Sequence, residues 1–551
     1  MRSVPCAGLA LVILGACLLT ASTWRFFGNT WDEPEHLAAG LELLDRGHYD
    51  YDTEHPPLGR MLLALGPYLA GARSVGTPPP DGDGVREGVD ILYGGGHYDR
   101  YLTLARLGAL PFLALLLVAT WLWARRLLTG AAAALLAALL LVSVPPVLGH
   151  AGIAALDIAA AGTTLLALYA LWAWGSVPRL RHAVFFGLAA GFAVATKFSA
   201  VPFLGLALVV LGLTSVGMRA PPAPLRARLL GLALAALAAL VPLWLAYGPR
   251  GADHSLELQR FNWAVAYLLQ QPGLDHSLGV LLGHAWLPRE LQELVSGMVA
   301  LKAHNDSGHW SFLLGEVRTT GWWYFYPVAL AAKTPIPLLL TGLAGMLWLA
   351  ADGARQRDPW KLAPLSLWLA MLAFVCSFSR INIGVRHVLI LYPLLALGGA
   401  YLITQAWARL RAAPHSAAIT GRIVLVALLT WQLGTLWTAY PDYLAYFNEA
   451  VAHPERVLVD SDLDWGQDLR RLEQRAAQLN IRHLSLAYLG TADLRREPLP
   501  PFTELEPGER ARGWVAVSEL ARTRAPANYA WLDAYTPTER IGRTIALYYI
   551  P

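Results

Sequence analysis

The sequence has little charge for its length. Only 15% of its 551 residues are charged and 56% are apolar, whereas a soluble domain usually has about a quarter of its residues charged. This composition excludes an ordinary soluble enzyme. The formal net charge of +4 at neutral pH is small for so long a chain, which argues against a nucleic-acid partner.

Cysteine is also scarce. The three cysteines, Cys6, Cys17 and Cys376, all lie in apolar stretches, so the sequence has neither a disulfide framework nor a pair of metal-ligating thiols. It also lacks a Walker-type loop and a strand-bound G-x-G-x-x-G motif, so nothing supports cytoplasmic nucleotide chemistry.

What the chain has in abundance is long apolar runs. A helix needs about 20 apolar residues to cross a bilayer, and eleven runs qualify. They lie near 4–24, 101–123, 131–149, 154–175, 183–200, 201–217, 228–247, 328–350, 362–379, 386–408 and 422–440. We therefore predict an all-α polytopic membrane protein with about eleven transmembrane helices, whose transmembrane domain covers residues 1–440.

Arginine and lysine in the short loops predict the orientation. They cluster in alternate loops, beginning with Arg2 and the pair Arg125 and Arg126, and such residues stay preferentially on the cytoplasmic side. The N-terminus is thus predicted inside, and two long loops, about 25–100 and 249–327, are predicted outside together with the C-terminus.

From residue 441 to 551 charges return and apolar runs shorten. The pattern predicts a small extracytoplasmic α/β domain, with strands at 457–460 and 483–489, a helix at 465–479, and further strands at 514–518 and 545–550. Asp464 and Gln467 have the spacing of a capping box that would begin this helix.

The first outer loop contains acidic residues at the start of a predicted amphipathic helix that ends at Gly47. Asp32 and Glu33 either cap this helix, because free backbone N–H groups there favour carboxylates, or supply a general base that faces the membrane surface. Further along, Glu54 and His55 precede two prolines. The prolines fix an extended backbone that would hold both side chains in one direction, where they could position a substrate. The alternatives are a polar turn before a helix or, on a weak signal, a pair of metal ligands.

Ionisable residues also lie at the ends of apolar runs. Asp157 is costly there unless it has a partner or faces a cavity, and it otherwise caps a helix. Lys197, Lys333 and Arg386 lie on the predicted outer side, against the positive-inside trend. Clustered cations at a bilayer surface suit a phosphate group, with lipid headgroups as the plainer alternative. Lys333 also marks a broken helix start.

Aromatic residues precede the eighth run. The preferred interpretation of Trp322 and Tyr324 is an aromatic belt at the membrane interface. The second interpretation is a surface that stacks against or positions a sugar.

Together these motifs resemble a known family. The chain is similar to the GT-C membrane glycosyltransferases of the protein O-mannosyltransferase and aminoarabinose-transferase group, of glycosyltransferase family 39 type. The resemblance depends on the ordered set Trp31-Asp32-Glu33, Glu54-His55-Pro56-Pro57-Leu58, Asp157, Thr196-Lys197, Lys333-Thr334-Pro335, Arg386-His387 and Asp464-Trp465-Gly466-Gln467-Asp468. Some of these stretches resemble a bacterial, phospholipid-carrier-dependent subgroup.

The resemblance implies an inverting transfer of a hexosyl, mannosyl-type or pentosyl sugar. The donor would be a polyprenyl-phosphate-linked sugar, and the acceptor a hydroxyl of a lipid, glycan or protein at the outer face of a bacterial inner membrane. By the same resemblance, Asp32 takes the acceptor proton, Glu33 orients Asp32, and Asp157 positions a substrate. Lys197, Arg386, His387 and Lys333 bind the donor phosphate.

The sequence departs from the aminoarabinose transferases at His55, where these relatives place a lysine, so a phosphate-binding role does not transfer to that position. No metal or other cofactor is predicted. The rival interpretation is a transporter or flippase, or a ligase or polymerase of lipid-linked glycans, because many spans with intramembrane charges are also typical of transporters.

Overall fold

The computed structural model of the chain describes residues 3–76, 83–128, 130–217, 225–248, 255–506 and 508–551. Parts of both predicted outer loops, 77–82 and 249–254, lie outside the described residues. The described helices of the first half are α1 Ser3–Ala21, α2 Glu33–Arg46, α3 Pro57–Leu69, α4 Gly84–Tyr93, α5 Tyr98–Leu107, α6 Leu110–Leu127, α7 Ala131–Val142, α8 Pro145–Ala151, α9 Asp157–Ser176, α10 Leu180–Thr196, α11 Ala200–Gly217 and α12 Leu225–Tyr247.

The second half continues with helices α13 Ser255–Gln270, α14 Leu274–His284, α15 Arg289–Ser307, α16 Phe325–Lys333, α17 Ile336–Gln356, α18 Pro359–Phe378, α19 Leu391–Leu410, α20 His415–Ala439, α21 Leu469–Gln478, α22 Glu519–Arg524 and α23 Pro526–Tyr529. Its strands are β1 Ser311–Leu313, β2 Glu316–Arg318, β3 Leu484–Ala487, β4 Phe502–Glu504, β5 Gly513–Ser518, β6 Glu539–Ile541 and β7 Ile545–Ile550.

A helix or a pair of helices occupies each of the eleven predicted apolar runs. Among the described residues, seven helical segments are long and apolar enough to cross a membrane, or eight if the bent pair α7 and α8 forms one span. The helices α10 and α11 are apolar but shorter, and α19 is buried mainly along its first half. A polytopic helical membrane protein is confirmed, whereas the count of eleven crossings stays a prediction.

Glycine allows the apolar helices to approach closely. A Cβ at Gly187 or Gly191 of α10 would lie 2.1 or 2.2 Å from the carbonyl oxygens of Ala235 and Ala239 in α12. These two glycines form a small-residue packing motif, so the backbones of α10 and α12 meet without an intervening side chain.

The first predicted outer loop is helical. It contains α2, α3, α4 and the start of α5, and α2 ends as predicted at Gly47, which has φ of 70°. The apolar residues of α2 at positions 37, 38 and 41 pack against α3, α4 and α5. This layer closes one side of the cavity described below.

The C-terminal region contains a five-stranded sheet with strand order β4-β3-β5-β7-β6. β3 pairs in parallel with β4 and β5, whereas β7 is antiparallel to β5 and β6. Three predicted strands are confirmed as β3, β5 and β7. The predicted strand at 457–460 is wrong, because a 3-10 turn covers Asp460–Asp462 instead.

The predicted capping box is wrong as well. The helix begins at Leu469, after Asp468, and the Asp464 carboxylate accepts hydrogen bonds from the backbone N–H groups of Gly466 (3.1 Å) and Leu520 (2.8 Å). Asp464 therefore fixes the loop to α22, a contact 56 residues away that local spacing does not reveal.

We expect Gly191→Val to lower the melting temperature of the protein in detergent by several degrees. The new side chain would overlap the α12 backbone, and overpacking of this kind costs about 1–3 kcal/mol. The matched control is Gly205→Val in α11, where a Cβ meets nothing within 4 Å. Equal melting temperatures for the two variants would contradict close α10–α12 packing.

Candidate active site

A cavity of about 760 Å³ opens between the first outer loop and the apolar helices. One part of its wall is apolar and comes from α9, α11, α18 and the start of α19. Residues of this part include Ala160, Ala161, Pro202, Phe203, Phe374, Val375, Leu389 and Ile390. The rest of the wall is polar, and Asp32, Asp157, Lys197 and Arg386 all lie in it.

These four charged residues form one chain of alternating sign. The Lys197 Nζ donates to Asp157 Oδ1 at 2.5 Å, and the Arg386 Nη1 donates to Asp32 Oδ2 at 2.5 Å. Arg386 Nη1 also lies 3.8 Å from Asp157 Oδ2. Asp157 is 1% exposed at its side chain and Arg386 is 9% exposed, so each charge is held by its partners in a water-poor place.

The four residues come from the ends of elements, which explains how distant segments meet. Asp32 precedes α2, Asp157 is the first residue of α9, and Lys197 follows α10. Arg386 lies in a 3-10 turn before α19. The Asp32 side chain makes no cap hydrogen bond, so it faces Arg386 instead of serving α2.

The C-terminal region holds Arg386 in place. Its guanidinium lies 4.4 Å from the ring centroid of Trp465, and Asp462 accepts a hydrogen bond of 3.0 Å from the Val385 N–H. The Nε of Arg386 is buried and has no hydrogen-bond partner among the residues that the structure describes. Arg386 therefore keeps a free donor, in addition to those that bind carboxylates.

Glu33 differs from its neighbour Asp32 because it is turned away from the cavity. It is 1% exposed and its two oxygens accept hydrogen bonds of 2.8 Å from Nε and Nη2 of Arg106. It also accepts 2.8 Å bonds from the backbone N–H groups of Thr30 and Ala154. Glu33 thus ties the start of α2 to α5 and to the segment before Asp157, and so it positions Asp32.

Glu54 and His55 also line the cavity, but each has its own partner. His55 Nδ1 lies 3.1 Å from Asp52 Oδ2, and Asp52 is also paired with buried Arg60. Burial acts to raise the pKa of Asp52, yet Arg60 and His55 outweigh it and hold that pKa well below its usual range.

Glu54 pairs with His304 of α15 at 2.7 Å. The hydrogen bond to Glu54 raises the pKa of His304. His304 in turn contacts His309 at 3.1 Å. Burial, together with the neighbouring His304, lowers the pKa of His309 to about 4. Within the described residues, no group of three or more His, Cys, Asp or Glu could hold a metal ion.

Glu35 is a cavity residue that the sequence prediction missed. It lies one helical turn after Asp32, and it makes no hydrogen bond or ion pair within the described part of the chain. Burial raises the pKa of Glu35 to about 8, and the nearby Asp52 adds to this effect. The sequence could have indicated Glu35, because residues three apart on a helix lie on the same face and Glu35 lies three residues after Asp32.

Other cavity residues gave no such signal. His36, Asp52, His304 and His309 line the cavity, and His36 accepts a 3.0 Å hydrogen bond from Arg60. His304 and His309 lie some 250 positions from Glu54, so only the fold brings these groups together.

Three residues predicted for the site lie elsewhere. Lys333 is fully buried and donates to the carbonyl oxygens of Leu444 (2.8 Å) and Asp462. Trp322 is buried beneath Arg318, and Tyr324 packs against Trp323. None of the three lines the cavity among its described residues, whereas His387 does and hydrogen-bonds Tyr326 at 3.2 Å.

Known proteins are similar to this chain in sequence and in fold. Residues 47–248 match the family model of dolichyl-phosphate-mannose-protein mannosyltransferase. The structure resembles the oligosaccharyltransferase of Archaeoglobus fulgidus tethered with an acceptor peptide, with a TM-score of 0.51 and 13% identity over 86% of this chain and 57% of that chain. The chain has the GT-C glycosyltransferase fold. The predicted resemblance is thereby confirmed.

Two further structures are similar over different lengths. ArnT from Cupriavidus metallidurans bound to undecaprenyl phosphate has a TM-score of 0.47 and 14% identity, over 98% of this chain and 97% of that chain. The protein O-mannosyltransferase Pmt1-Pmt2 complex of S. cerevisiae, bound to the sugar donor, has a TM-score of 0.33 and 16% identity, over 44% and 33%. The chain spans less than three fifths of the archaeal oligosaccharyltransferase. No curated protein matches it.

We expect Glu33→Gln to destabilise the protein strongly. The change leaves Arg106 buried without its countercharge, which typically costs about 3–5 kcal/mol, and thermal unfolding in detergent measures the loss. The control is Glu539→Gln, which breaks a half-exposed pair with Arg475 whose contribution is below about 1 kcal/mol. Wild-type stability in Glu33→Gln would refute the anchoring role.

Proposed function

We propose that the chain is an inverting glycosyltransferase that moves a sugar from a polyprenyl-phosphate carrier to an acceptor hydroxyl. The observation that carries the proposal is the Lys197-Asp157-Arg386-Asp32 chain at the polar end of a cavity whose other walls are apolar. The match to a family model of lipid-phosphate-dependent mannosyltransferases supports the same conclusion.

The two parts of the cavity suit the two parts of such a donor. The apolar wall formed by α9, α11 and α18 suits an isoprenoid chain that enters from the bilayer. Lys197 is a point charge with further N–H donors, and Arg386 also lines the cavity. Both can bind a phosphate that joins this chain to a sugar.

Binding of the phosphate would also activate Asp32. In the structure the Asp32 carboxylate is held by Arg386. A phosphate that takes hydrogen bonds from Arg386 weakens that ion pair and leaves Asp32 able to accept a proton. Arg386 and Lys197 then stabilise the negative charge that develops on the leaving group.

The reaction on this proposal is a single displacement. The acceptor oxygen forms a bond to the anomeric carbon while the bond from that carbon to the phosphate oxygen breaks, and the polyprenyl phosphate leaves with the electron pair. The acceptor proton passes to Asp32. Attack opposite the leaving group inverts the anomeric configuration.

The proposed location is the outer face of a bacterial inner membrane. Arg125 and Arg126 end α6, whereas Arg106, near the other end of this helical segment, contacts Glu33 beside the site. By the positive-inside rule, the arginine pair is cytoplasmic and the site is extracytoplasmic. Residues 1–440 would form the catalytic domain, and residues 441–551 an outer domain that supports Arg386.

We expect Asp32→Asn to reduce sugar transfer by about 10²-fold to 10⁴-fold, because it removes the proposed general base. Purified protein in nanodiscs would be given a panel of radiolabelled polyprenyl-phosphate hexoses and pentoses, and released or transferred sugar would be counted. Lys197→Ala should instead weaken donor binding. The matched control is Asp99→Asn, because Asp99 is an exposed carboxylate paired with Arg470.

Retained transfer in folded Asp32→Asn protein would overturn the assignment of the base. Absence of turnover with every donor, together with uptake of labelled lipid-linked sugar across sealed vesicles, would overturn the transferase proposal in favour of transport.

Donor binding should weaken as the pH rises past about 8. Glu35 is predominantly neutral below that pH because its pKa is raised to about 8, and its ionisation adds a negative charge where Asp32, Asp52, Asp83 and Arg60 already act on it. A donor phosphate would be repelled. Titration of donor affinity from pH 6.5 to 9.5 should show this decline, and Glu35→Gln should remove it. An unchanged profile in the variant would exclude Glu35 as the cause.

A further inference from the structure

The helical hairpin formed by α13 and α14 exposes large apolar side chains. Leu274, Leu281 and Trp286 are 75%, 64% and 87% exposed. Other exposed apolar residues of the hairpin are Leu256, Leu258, Trp263, Leu269, Leu278 and Val280. Its buried side is small, with Ala264 and Leu268 packed on Val299 of α15. So large an exposed apolar surface needs a partner other than water.

The hairpin presents no unpaired charge to that surface. Its acidic residues Glu257 and Asp275 pair with Arg289 and Lys302, the second pair at 3.2 Å. Arg260 pairs with Asp50 at 2.7 Å. Each ion pair is made with α15 or the first predicted outer loop, so each of these charges has a partner within the protein.

The other ionisable groups of the hairpin are satisfied as well. His276 and His284 hydrogen-bond the backbone carbonyls of Leu269 and Val280 at 2.8 Å. The Tyr267 hydroxyl donates to Asp306 at 2.7 Å. A surface whose ionisable groups are all occupied internally suits contact with hydrocarbon, where an unpaired charge is costly.

The hairpin also lies beside the end of a membrane-spanning helix. Ala246 and Tyr247 at the end of α12 pack with Leu294 of α15, and α15 packs against α13 through Val295 and Val299. α15 therefore connects α13 to the end of α12. Trp263 and Trp286 supply the amphipathic rings that favour a membrane interface.

We propose that the α13–α14 hairpin is seated in the outer leaflet of the membrane, where acyl chains cover Leu274, Leu278, Leu281 and Trp286. The occupant of the apolar surface is lipid. The segment is thus an interfacial anchor, although it belongs to what the sequence predicts as an outer aqueous loop.

A hairpin seated in lipid would also hold one wall of the cavity in place. α15 packs on the hairpin and supplies the cavity residues Met298, Leu301, Lys302 and His304. Because Asp275 of α14 pairs with Lys302, the lipid-seated hairpin holds one wall of the cavity at the bilayer surface. A lipid-linked ligand can then enter without crossing water.

The test measures the environment of single cysteines in the full-length protein. After Cys6, Cys17 and Cys376 are replaced by alanine, cysteine is introduced as Leu281→Cys and labelled with an environment-sensitive fluorophore. The protein is placed at one copy per nanodisc of phosphatidylglycerol and phosphatidylcholine. Leu433→Cys on the membrane-spanning α20 is the lipid-facing control, and Glu504→Cys on the exposed strand β4 is the aqueous control.

We expect nitroxide-labelled lipid to quench the fluorophore at Leu281→Cys to about the same degree as at Leu433→Cys, and aqueous iodide to quench it about threefold less than at Glu504→Cys. Iodide quenching equal to that at Glu504→Cys would overturn the proposal. Protection of the Leu281→Cys fluorophore from iodide that develops only when several copies share one nanodisc would also overturn the proposal. A second copy of the chain, and not lipid, would then cover the apolar surface.

A second measurement separates membrane seating from a folding defect. Leu281→Ser should reduce nitroxide quenching of a fluorophore placed by Leu278→Cys in the same chain. The melting temperature in detergent should change little, because most of the Leu281 side chain has no protein contact. Unchanged quenching in the double variant would contradict the anchor.

Discussion

The alternating ion chain Lys197-Asp157-Arg386-Asp32 is the interaction on which the cavity depends. Four charges in a water-poor place are tolerable only when each lies against an opposite charge. They come from four separate segments, so the starts of α2 and α9, the end of α10 and the turn before α19 must all meet at one place. The positions of these helix ends are therefore coupled to one another through electrostatics.

Buried groups next to the alternating ion chain hold its residues in position. Glu33 and Arg106 form a second buried pair that also binds the backbone at Thr30 and Ala154, so the residues on either side of Asp32 and before Asp157 share one anchor. Trp465 and Asp462 do the same for the Arg386 turn from the C-terminal side. This explains why a small sheet region at the end of the chain matters to a site formed mainly by membrane helices.

Much of this arrangement could be predicted from the sequence. Apolar run length predicted where the helices lie, since a bilayer imposes that length on any span. The residues Asp32, Asp157, Lys197 and Arg386 could be singled out because charges at the ends of apolar runs need partners. What the sequence could not show was which partners they have.

The failures have a common physical cause. Asp464 has the local spacing of a helix cap, yet its carboxylate is used by the distant N–H of Leu520. Lys333 has the composition of a phosphate ligand, yet it satisfies two carbonyl oxygens in the protein interior. In both cases a long-range contact competes with the local one, and no local pattern reports its strength.

On the proposed function, the Asp32–Arg386 ion pair also protects the donor. A general base that stood free in a cavity open to water would activate water as readily as an acceptor, and the sugar would be lost to hydrolysis. Here the base is bound to a cation until a phosphate competes for that cation. Once the phosphate is in place, the lipid chain and the sugar occupy much of the cavity and exclude water. The same arginine would thus delay proton transfer until the donor is bound and then stabilise its departure.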